Sequence, residues 1–296
     1  MENNRRDFLK LAGLAGMGMT VLNPLSACGK ARAPKMAFGL VTYQWAKDWD
    51  LSTLIANCEK AGIRGVELRT QHAHGVETTL NASQRLEVKK QFRDRGITCL
   101  GYGSNFEYHS PDPSELQKNV EGTKAYIKLC HDIGATGIKV KPNTLPAEVS
   151  KEKTIAQIAA SLNEIGRFAQ DFDQLVRVEV HGRITSELPN MKAIFDQVTE
   201  PNVKICWNCN DTDLLPPGLE GNFNMVKKWL GDTIHIHELN SPNYPYPQLF
   251  GLLAGENYEG WLLLEASSQP DDKIAALQEQ RSLFEQLVEQ AQKAEE

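Results

Sequence analysis

Residues 176–182 read Val-Arg-Val-Glu-Val-His-Gly and show the pattern from which the architecture follows. A short β-branched run ends there in polar residues, and comparable runs recur along the chain with amphipathic segments between them. The pattern predicts eight strands, at residues 37–43, 65–68, 98–102, 138–141, 176–181, 204–207, 233–238 and 261–265. Strands that alternate with helices favour parallel pairing. Eight such units in about 260 residues predict an α/β fold, the (β/α)8 TIM barrel.

Helical periodicity predicts helices between and after these strands, at residues 51–61, 84–95, 113–133, 153–172, 190–198 and 271–292. The residues predicted to cap the N-termini are Ser52, Ser83 and Ser114. Three glycines follow helices where a positive φ is favoured, Gly62, Gly96 and Gly134. A doubly wound open sheet is the rival architecture, but no Gly-x-Gly-x-x-Gly motif follows the first strand. No Pro/Gly/Ser-rich linker divides the chain, so one barrel domain is predicted for residues 35–296.

Composition and charge exclude several classes of protein. The 296 residues are 41% hydrophobic and 24% charged, which is typical of a folded globular chain rather than a disordered or multi-pass membrane protein. The chain has 32 basic and 38 acidic residues, for a formal net charge of −6. No Lys/Arg run lies beyond the N-terminus, so a nucleic-acid partner is disfavoured, because that binding depends on neutralising phosphates.

The N-terminal residues resemble an export signal. Residues 4–10 read Asn-Arg-Arg-Asp-Phe-Leu-Lys, a twin-arginine motif, and an apolar stretch at residues 11–25 follows. That stretch is shorter than the roughly 20 apolar residues of a spanning helix. Residues 25–28 read Leu-Ser-Ala-Cys and resemble a lipobox, so we expect a signal peptide at 1–27, lipidation of Cys28 and a tether at 28–34. The protein would be exported to the periplasm or cell envelope and touch the membrane only through this lipid. The alternative is an apolar N-terminal helix.

The six cysteines are scattered: Cys28, Cys58, Cys99, Cys130, Cys206 and Cys209. A lone Cys-x-x-Cys at residues 206–209 overlaps a predicted strand, whereas a redox motif of this type opens a helix after a strand. Buried thiols are therefore favoured over a redox pair or a zinc ribbon.

Four polar residues recur at the ends of the last four predicted strands. They are Glu179, Asn208, His237 and Glu265, separated by 29, 29 and 28 positions. One strand–helix unit separates each from the next, so in a barrel they fall at equivalent heights. They would converge at the C-terminal ends of the strands, where the active sites of TIM barrels lie. Glu265 ends a run of three leucines, where a carboxylate without a partner or a metal would be costly.

These residues also have structural interpretations. His237 could be a hydrogen-bonded core histidine, and Asn208 could shape a turn. His235 points to the same side of its strand as His237, one layer lower, and is expected in the core or in a supporting layer. As a set, two carboxylates, an imidazole and an amide oxygen suit one divalent cation. Mn²⁺ is favoured, because export of a folded protein allows a weakly held ion to be loaded first. Co²⁺, Mg²⁺ and Zn²⁺ are alternatives, and the absence of a thiolate counts against zinc.

Further polar and aromatic residues are expected around the same mouth. The candidates for substrate contact are Glu67, His72, His74, Glu107, His109, Lys141, His181, Trp207 and Asp211. Lys139 alternates with Lys141 on the fourth strand. Such a rim fits a polyhydroxylated small molecule. Tyr43, Trp45 and Trp207 could stack on a sugar ring, and each could equally be ordinary packing.

These residues and their order resemble the xylose isomerase-like TIM-barrel superfamily of sugar isomerases and epimerases. The resemblance runs from residue 36 to the C-terminal helix. It is carried by Gly-Val-Glu-Leu-Arg at 65–69, Glu-x-His-Gly at 179–182, His-x-His at 235–237 and Gly-Trp-Leu-Leu-Leu-Glu at 260–265.

In that superfamily a Glu, an Asp, a His and a second Glu hold one divalent ion, and the two glutamates exchange protons with the substrate. The resemblance therefore implies that Glu179, His237 and Glu265 are metal ligands and that both glutamates are catalytic. Asn208 replaces the usual Asp, which should weaken metal binding while making the ion a stronger Lewis acid. Asp211 would supply a carboxylate if its loop turned inward.

The resemblance implies a metal-dependent sugar isomerase or epimerase that removes a proton next to the carbonyl of a keto sugar. The same first step also begins a β-elimination, so a lyase that cleaves 3-keto glycosides is the runner-up. Sugar-phosphate isomerisation ranks third, because no Gly-rich phosphate loop is present. A sugar-binding lipoprotein without turnover is an alternative of another class, favoured by Asn208. DNA-repair endonucleases share the barrel, but the charge and the export signal argue against that activity.

Overall fold

The computed structural model describes residues 36–294, which form a closed barrel of eight parallel strands in chain order. The strands are β1 Met36–Val41, β2 Gly65–Arg69, β3 Thr98–Glu107, β4 Gly137–Lys141, β5 Leu175–Glu179, β6 Val203–Trp207, β7 Leu230–Ile236 and β8 Gly260–Leu264. Strand β8 pairs with β1 and closes the ring, with Leu262 opposite Phe38. The predicted TIM barrel is confirmed, and the open doubly wound sheet is excluded because a closed ring has no edge.

Eight α-helices of residues 36–294 surround the barrel. They are α1 Leu51–Ala61, α2 Ala82–Asp94, α3 Pro113–Ile133, α4 Lys151–Gln170, α5 Leu188–Phe195, α6 Leu219–Val226, α7 Tyr246–Gly255 and α8 Lys273–Ala294. Gly62, Gly96 and Gly134 have φ angles of 72°, 62° and 75°, as expected for residues that end helices. None of the helices in residues 36–294 is long and apolar enough to cross a membrane.

The three predicted serine N-caps are wrong. Ser52, Ser83 and Ser114 each lie two residues inside a helix whose N-cap is Asp50, Asn81 or Asp112. Asp50 Oδ1 accepts from the backbone N of Thr53 at 2.7 Å and from the Ser52 hydroxyl at 2.9 Å. Ser83 donates to Asn81 in the same way, at 2.8 Å. The upstream side chain already satisfies the first free backbone N–H groups, so the serines are not needed as caps, and α2 begins two residues earlier than predicted.

The apolar core lies between the strands and the helices. Outward-facing strand residues such as Val66 and Val178 join one large cluster with helix residues such as Leu54 and Ile165. Inside the ring, Val41, Leu100 and Leu263 form a separate small apolar cluster. Much of the remaining interior is polar and buried, which makes the inner surface of the ring the place to look for a site.

The Arg177 side chain fills part of the ring interior two residues before the C-terminal end of β5, so the space at the C-terminal ends of the strands stays open. Its guanidinium donates to both Asp232 carboxylate oxygens at 2.8 and 2.7 Å and to the Leu100 carbonyl at 2.7 Å. It also donates to the Thr136 hydroxyl at 2.7 Å. A fully buried guanidinium with this many partners is a structural element of the barrel.

Cys58, Cys99, Cys130, Cys206 and Cys209 are all buried free thiols, as the sequence predicts. The signal peptide, the tether and Cys28 lie outside the described residues, and the domain division at residues 27 and 34 stays a prediction.

Candidate functional site

A cavity of about 380 Å³ opens at the C-terminal end of the barrel. It is lined by Tyr43, Arg69, Lys141, Glu179, His181, Asn208, Asn210, His237, Glu265 and Ser267. Side chains alternate along a strand, so residues two apart, such as Lys139 and Lys141 on β4, project into the ring at successive heights. The barrel thus presents one ring of polar side chains to the cavity and a second ring beneath it.

The structure brings the four residues selected by their spacing to this one cavity. Glu179 is the last residue of β5, whereas Asn208, His237 and Glu265 follow β6, β7 and β8. Glu179, Asn208 and Glu265 are 1%, 4% and 8% exposed, and His237 is half-buried. Equal spacing along the chain thus becomes proximity in space, because each βα unit advances the ring by one strand.

Among the described residues, the His, Cys, Asp and Glu side chains close enough together to share an ion are Glu179, His235 and Glu265. Their ligand atoms lie within 4.8 Å of one another. His235 Nδ1 is 3.4 Å from Glu179 Oε1 and 3.4 Å from Glu265 Oε2, and its Nε2 is 3.2 Å from Glu67 Oε1. His235 is fully buried, as expected, but it lies among the carboxylates rather than in a layer that only supports them.

His237 meets the same cavity with one ring nitrogen already engaged. Its Nδ1 lies 3.2 Å from the Glu265 backbone carbonyl, and its backbone N donates to the Tyr246 hydroxyl at 2.9 Å. A carbonyl can only accept, so Nδ1 donates, and Nε2 of the neutral tautomer keeps a lone pair for a ligand. His237 does not belong to the close group of Glu179, His235 and Glu265, so His235 is the better placed candidate ligand and His237 the second.

Asn208 is oriented by a chain of amide hydrogen bonds. Its Nδ2 donates to Asn210 Oδ1 at 3.3 Å, and Asn210 Nδ2 donates to the Val180 carbonyl at 2.6 Å. Asn208 Oδ1 is buried and has no hydrogen-bond partner among residues 36–294. A buried acceptor left unpaired costs about 1–3 kcal/mol, which a coordinated cation would offset. The donor set of carboxylates, imidazole and amide oxygen therefore fits a divalent ion.

Asp211 does not turn inward. It is exposed, begins a short 3-10 turn and lies outside the cavity lining, so it does not replace the missing carboxylate. The buried acid of this loop is Asp213, which accepts from the backbone N of Asn210 at 2.9 Å and from the Tyr244 hydroxyl at 2.8 Å. Burial raises the pKa of Asp213 to about 7.

Two of the aromatic candidates are unavailable to a substrate. Trp207 is fully buried, donates from its indole N–H to the Tyr244 hydroxyl at 3.0 Å and packs edge-on against Phe223 of α6. Trp45 is also buried, and its indole N–H donates to the Ser268 carbonyl at 2.9 Å. Tyr43 lines the cavity. Strand alternation explains Trp207, because its side chain points to the helices when Asn208 points into the ring.

The other substrate candidates divide into two groups. Lys141 and His181 line the cavity. The residues outside its lining are Glu67, His72, His74, Glu107 and His109.

Four of these five residues contact other groups of the protein, namely Glu67, His74, Glu107 and His109. Glu67 lies fully buried beneath the cavity beside His235, in space left by Gly103, where a Cβ would come within 2.5 Å of Glu67 Oε1. His74 donates to the Arg69 carbonyl at 2.8 Å and accepts from the backbone N of Val76. Glu107 and His109 lie 3.4 Å apart.

Two cations that the spacing argument did not select engage the two cavity glutamates. Lys139 Nζ is 2.5 Å from Glu179 Oε2, and Arg69 Nη1 is 3.5 Å from Glu265 Oε1. Burial opposes ionisation of Glu179, but Lys139 and His235 outweigh it and hold its pKa well below the usual value. The pKa of Glu265 is likewise lowered, since His235 and Lys139 outweigh burial. Both carboxylates are therefore ionised at neutral pH.

Comparison with known proteins identifies the family and the fold. The family described as xylose isomerase-like TIM barrel matches residues 55–287. Among solved structures, the apo form of 3-keto-D-glucoside 4-epimerase YcjR from E. coli superposes with a TM-score of 0.71 at 14% identity, covering 85% of this chain and 100% of that one. An L-ribulose 3-epimerase gives 0.73 at 15% identity, covering 89% and 97%. The IolI protein with a bound zinc atom gives 0.72 at 14%, covering 86% and 98%. At these identities the likeness shows the fold.

Proposed function

The chain belongs to the xylose isomerase-like TIM barrel family, and from the geometry of its cavity we propose that it is a divalent-metal-dependent sugar isomerase or epimerase. The observation that carries the proposal is the pair Glu179 and Glu265. Both are buried, both are ionised, and they reach one cavity from strands that are not neighbours. Two carboxylates held in this way are suited to move a proton to and from a carbon atom.

The reaction assigned to this pair starts with removal of the proton next to the carbonyl of a keto sugar. One glutamate accepts that proton, and the other returns a proton to the substrate. Return to the same carbon from the other face inverts its configuration, and return to the neighbouring carbon isomerises the sugar. His235 and Lys139, which lower the pKa of both carboxylates, keep them in the basic form before the substrate binds.

A divalent cation would be held by Glu179, Glu265, Asn208 and one of the two histidines, His235 or His237. When bound, it would polarise the substrate carbonyl and stabilise the negative charge that develops on proton removal. We propose Mn²⁺ as this ion. No cysteine lines the cavity, which counts against a thiolate zinc site within the described residues.

The names of two similar structures support a keto sugar as the substrate class. One is a 3-keto-D-glucoside 4-epimerase and the other an L-ribulose 3-epimerase. A third holds zinc, which supports a metal in the present cavity. Export through the twin-arginine route and anchoring through Cys28 remain part of the proposal, resting on residues 4–28 of the sequence.

Proton exchange with solvent tests the proposed function. The Mn²⁺-loaded protein is incubated in D₂O with L-ribulose, D-fructose or a 3-keto glucoside, and loss of the C–H signal next to the carbonyl is followed by NMR. We expect exchange with at least one sugar, its loss after EDTA treatment and its recovery with Mn²⁺ or Co²⁺. Release of the aglycone from the 3-keto glucoside would establish the lyase instead. Binding without exchange of any of these sugars would establish a protein without turnover.

A further inference from the structure

Lys141 is a buried cation that has no partner within the described part of the protein. It ends β4, is 9% exposed and lines the cavity. No hydrogen bond or ion pair joins its ammonium to any of residues 36–294, whereas Lys139 on the same strand is paired with Glu179. An ammonium that faces a cavity without an ion pair of its own is placed to receive an anionic group of a ligand there.

The groups around Lys141 do not supply a partner. Glu107 faces Lys141 in the strand register, but its carboxylate oxygen lies 3.4 Å from His109. Glu179 is engaged by Lys139, and Glu265 by Arg69. Burial and the neighbouring charge of Lys139 lower the pKa of Lys141, and the carboxylates of Glu179 and Glu265, which form no ion pair with it, only partly offset this shift.

The charges of the two inner rings lead to the same conclusion. Three buried carboxylates, Glu67, Glu179 and Glu265, face three buried cations, Arg69, Lys139 and Lys141. These six charges cancel, and Asn208 adds none. A divalent ion would give the cavity an excess of positive charge, which an anionic group on the substrate would offset.

We propose that Lys141 binds a carboxylate of the substrate, with Arg69 lining the same wall of the cavity, so that the substrate class is keto sugar acids rather than neutral keto sugars. The inference rests on the proposed function, because it assigns the substrate class of the same cavity. A carboxylate carries one negative charge, which would form an ion pair with the Lys141 ammonium. A phosphate calls for a glycine-rich cradle of backbone N–H groups, and no glycine is among the described residues that line the cavity.

A matched pair of sugars tests the assignment. D-Fructose and 2-keto-D-gluconate share the keto group at C2 and the configuration at C3 to C5, and they differ in a hydroxymethyl or carboxylate at C1. Affinities for the Mn²⁺-loaded protein are measured by calorimetry at fixed ionic strength. We expect the acid to bind tighter by about tenfold or more, the scale of a buried hydrogen bond to a charged group.

Substitution then identifies the residue responsible. Lys141→Met should abolish the preference, whereas Lys141→Arg should retain it. Lys89→Met removes the same charge from an exposed position on α2 and should behave like the wild type. Circular dichroism and thermal unfolding verify that each variant is folded.

Three outcomes would overturn the inference: equal affinities of the wild type for the two sugars, no binding of the acid at millimolar concentration, or a preference that survives in Lys141→Met. Deuterium incorporation at C3, measured on the same samples, reports the proposed function separately. Exchange without a carboxylate preference removes the inference and leaves the proposed function. A preference that depends on Lys141 without exchange removes the reaction and leaves Lys141 as the ligand of a bound sugar acid.

Discussion

Lys139 and Glu179 form an ion pair inside the barrel, with 2.5 Å between Nζ and Oε2 and both side chains essentially inaccessible to solvent. Glu179 is also a proposed ligand of the metal, so Lys139 already contacts one of the ligands. A bound divalent ion and Lys139 would therefore share the Glu179 carboxylate. When no ion is present, the positive charge of Lys139 alone stabilises the ionised carboxylate. Asn208 stands where the family resemblance implies an Asp, and because its amide is neutral it adds no negative charge to the same cavity.

Removal of Lys139 should make the protein depend on metal for its stability. In Lys139→Met the buried Glu179 carboxylate loses its partner, and we expect the free energy of unfolding of the metal-free protein to fall by about 3–5 kcal/mol. Mn²⁺ should restore more stability to the variant than it adds to the wild type, because the ion supplies the missing positive charge. Urea unfolding with EDTA or with Mn²⁺ measures both effects.

Lys118→Met is the matched control, since the Lys118 side chain is 79% exposed on α3. An equal loss of stability with and without Mn²⁺ would contradict the idea that Lys139 and the ion share Glu179.

Substitution of Glu265 should remove the reaction and leave the fold. Glu265→Gln keeps the shape of the side chain but cannot accept a proton, and we expect the rate of proton exchange to fall by about 100-fold or more. Thermal unfolding should stay close to that of the wild type. Glu259→Gln, at a position that is exposed at the opposite end of β8, is the control. Exchange at a near-normal rate in Glu265→Gln would remove this residue from the chemistry.

A carboxylate at position 208 should strengthen metal binding. In Asn208→Asp the unpartnered Oδ1 gains a negative charge, and we expect the affinity for Mn²⁺ to rise by about tenfold, because affinity follows the charge of the ligands. Calorimetry with Mn²⁺ measures it. Asn257→Asp adds the same charge at an exposed position before β8 and should not change the affinity. Unchanged affinity in Asn208→Asp would mean that Asn208 is not a ligand.

Asp213 should make stability depend on pH. Burial raises its pKa from 3.8 to about 7, so the folded state holds a proton that the unfolded state releases at lower pH. The contribution of Asp213 to the free energy of unfolding is therefore complete below about pH 4, falls as the pH rises to about 7 and is constant above that value. Asp213→Asn cannot titrate, so it should become more stable relative to the wild type across this window, by a few kcal/mol.

Urea unfolding of both proteins between pH 4 and pH 8, about the range bounded by the two pKa values, measures the difference. Asp271→Asn, at an exposed position before α8, should show no such trend relative to the wild type. A stability difference between Asp213→Asn and wild type that is constant with pH would show that Asp213 does not titrate in this range.

Part of the candidate site could be predicted because it repeats with the strands. Glu179, Asn208, His237 and Glu265 were selected by spacing, and all four line one cavity. Asp211 was misplaced because it lies beyond the end of β6, where the course of the loop decides where a side chain points. Trp207 was misplaced because successive strand residues point alternately to the ring interior and to the helices, and Trp207 points to the helices. The signal for Trp207 was present, since it neighbours the inward-facing Asn208.

The positions of Lys139 and Arg69 show what spacing along the chain leaves out. Arg69 on β2 reaches past β1 to Glu265, which follows β8, whereas Lys139 on β4 reaches Glu179 on the neighbouring strand β5. The alternation of a strand predicts that such side chains point inward. It does not predict which of several inward cations meets which carboxylate.

The amino-acid sequence by itself determined the eightfold alternation, the family and the four residues at the strand ends, because these follow from local periodicity and from the constant length of a βα unit. Only the tertiary structure decided that His235 lies among the carboxylates, that Asn208 directs its oxygen inward and that Lys141 has no counter-ion. These properties depend on side chains from several strands that meet near the barrel axis, where distances of a few ångströms at low solvent exposure decide which charges are paired.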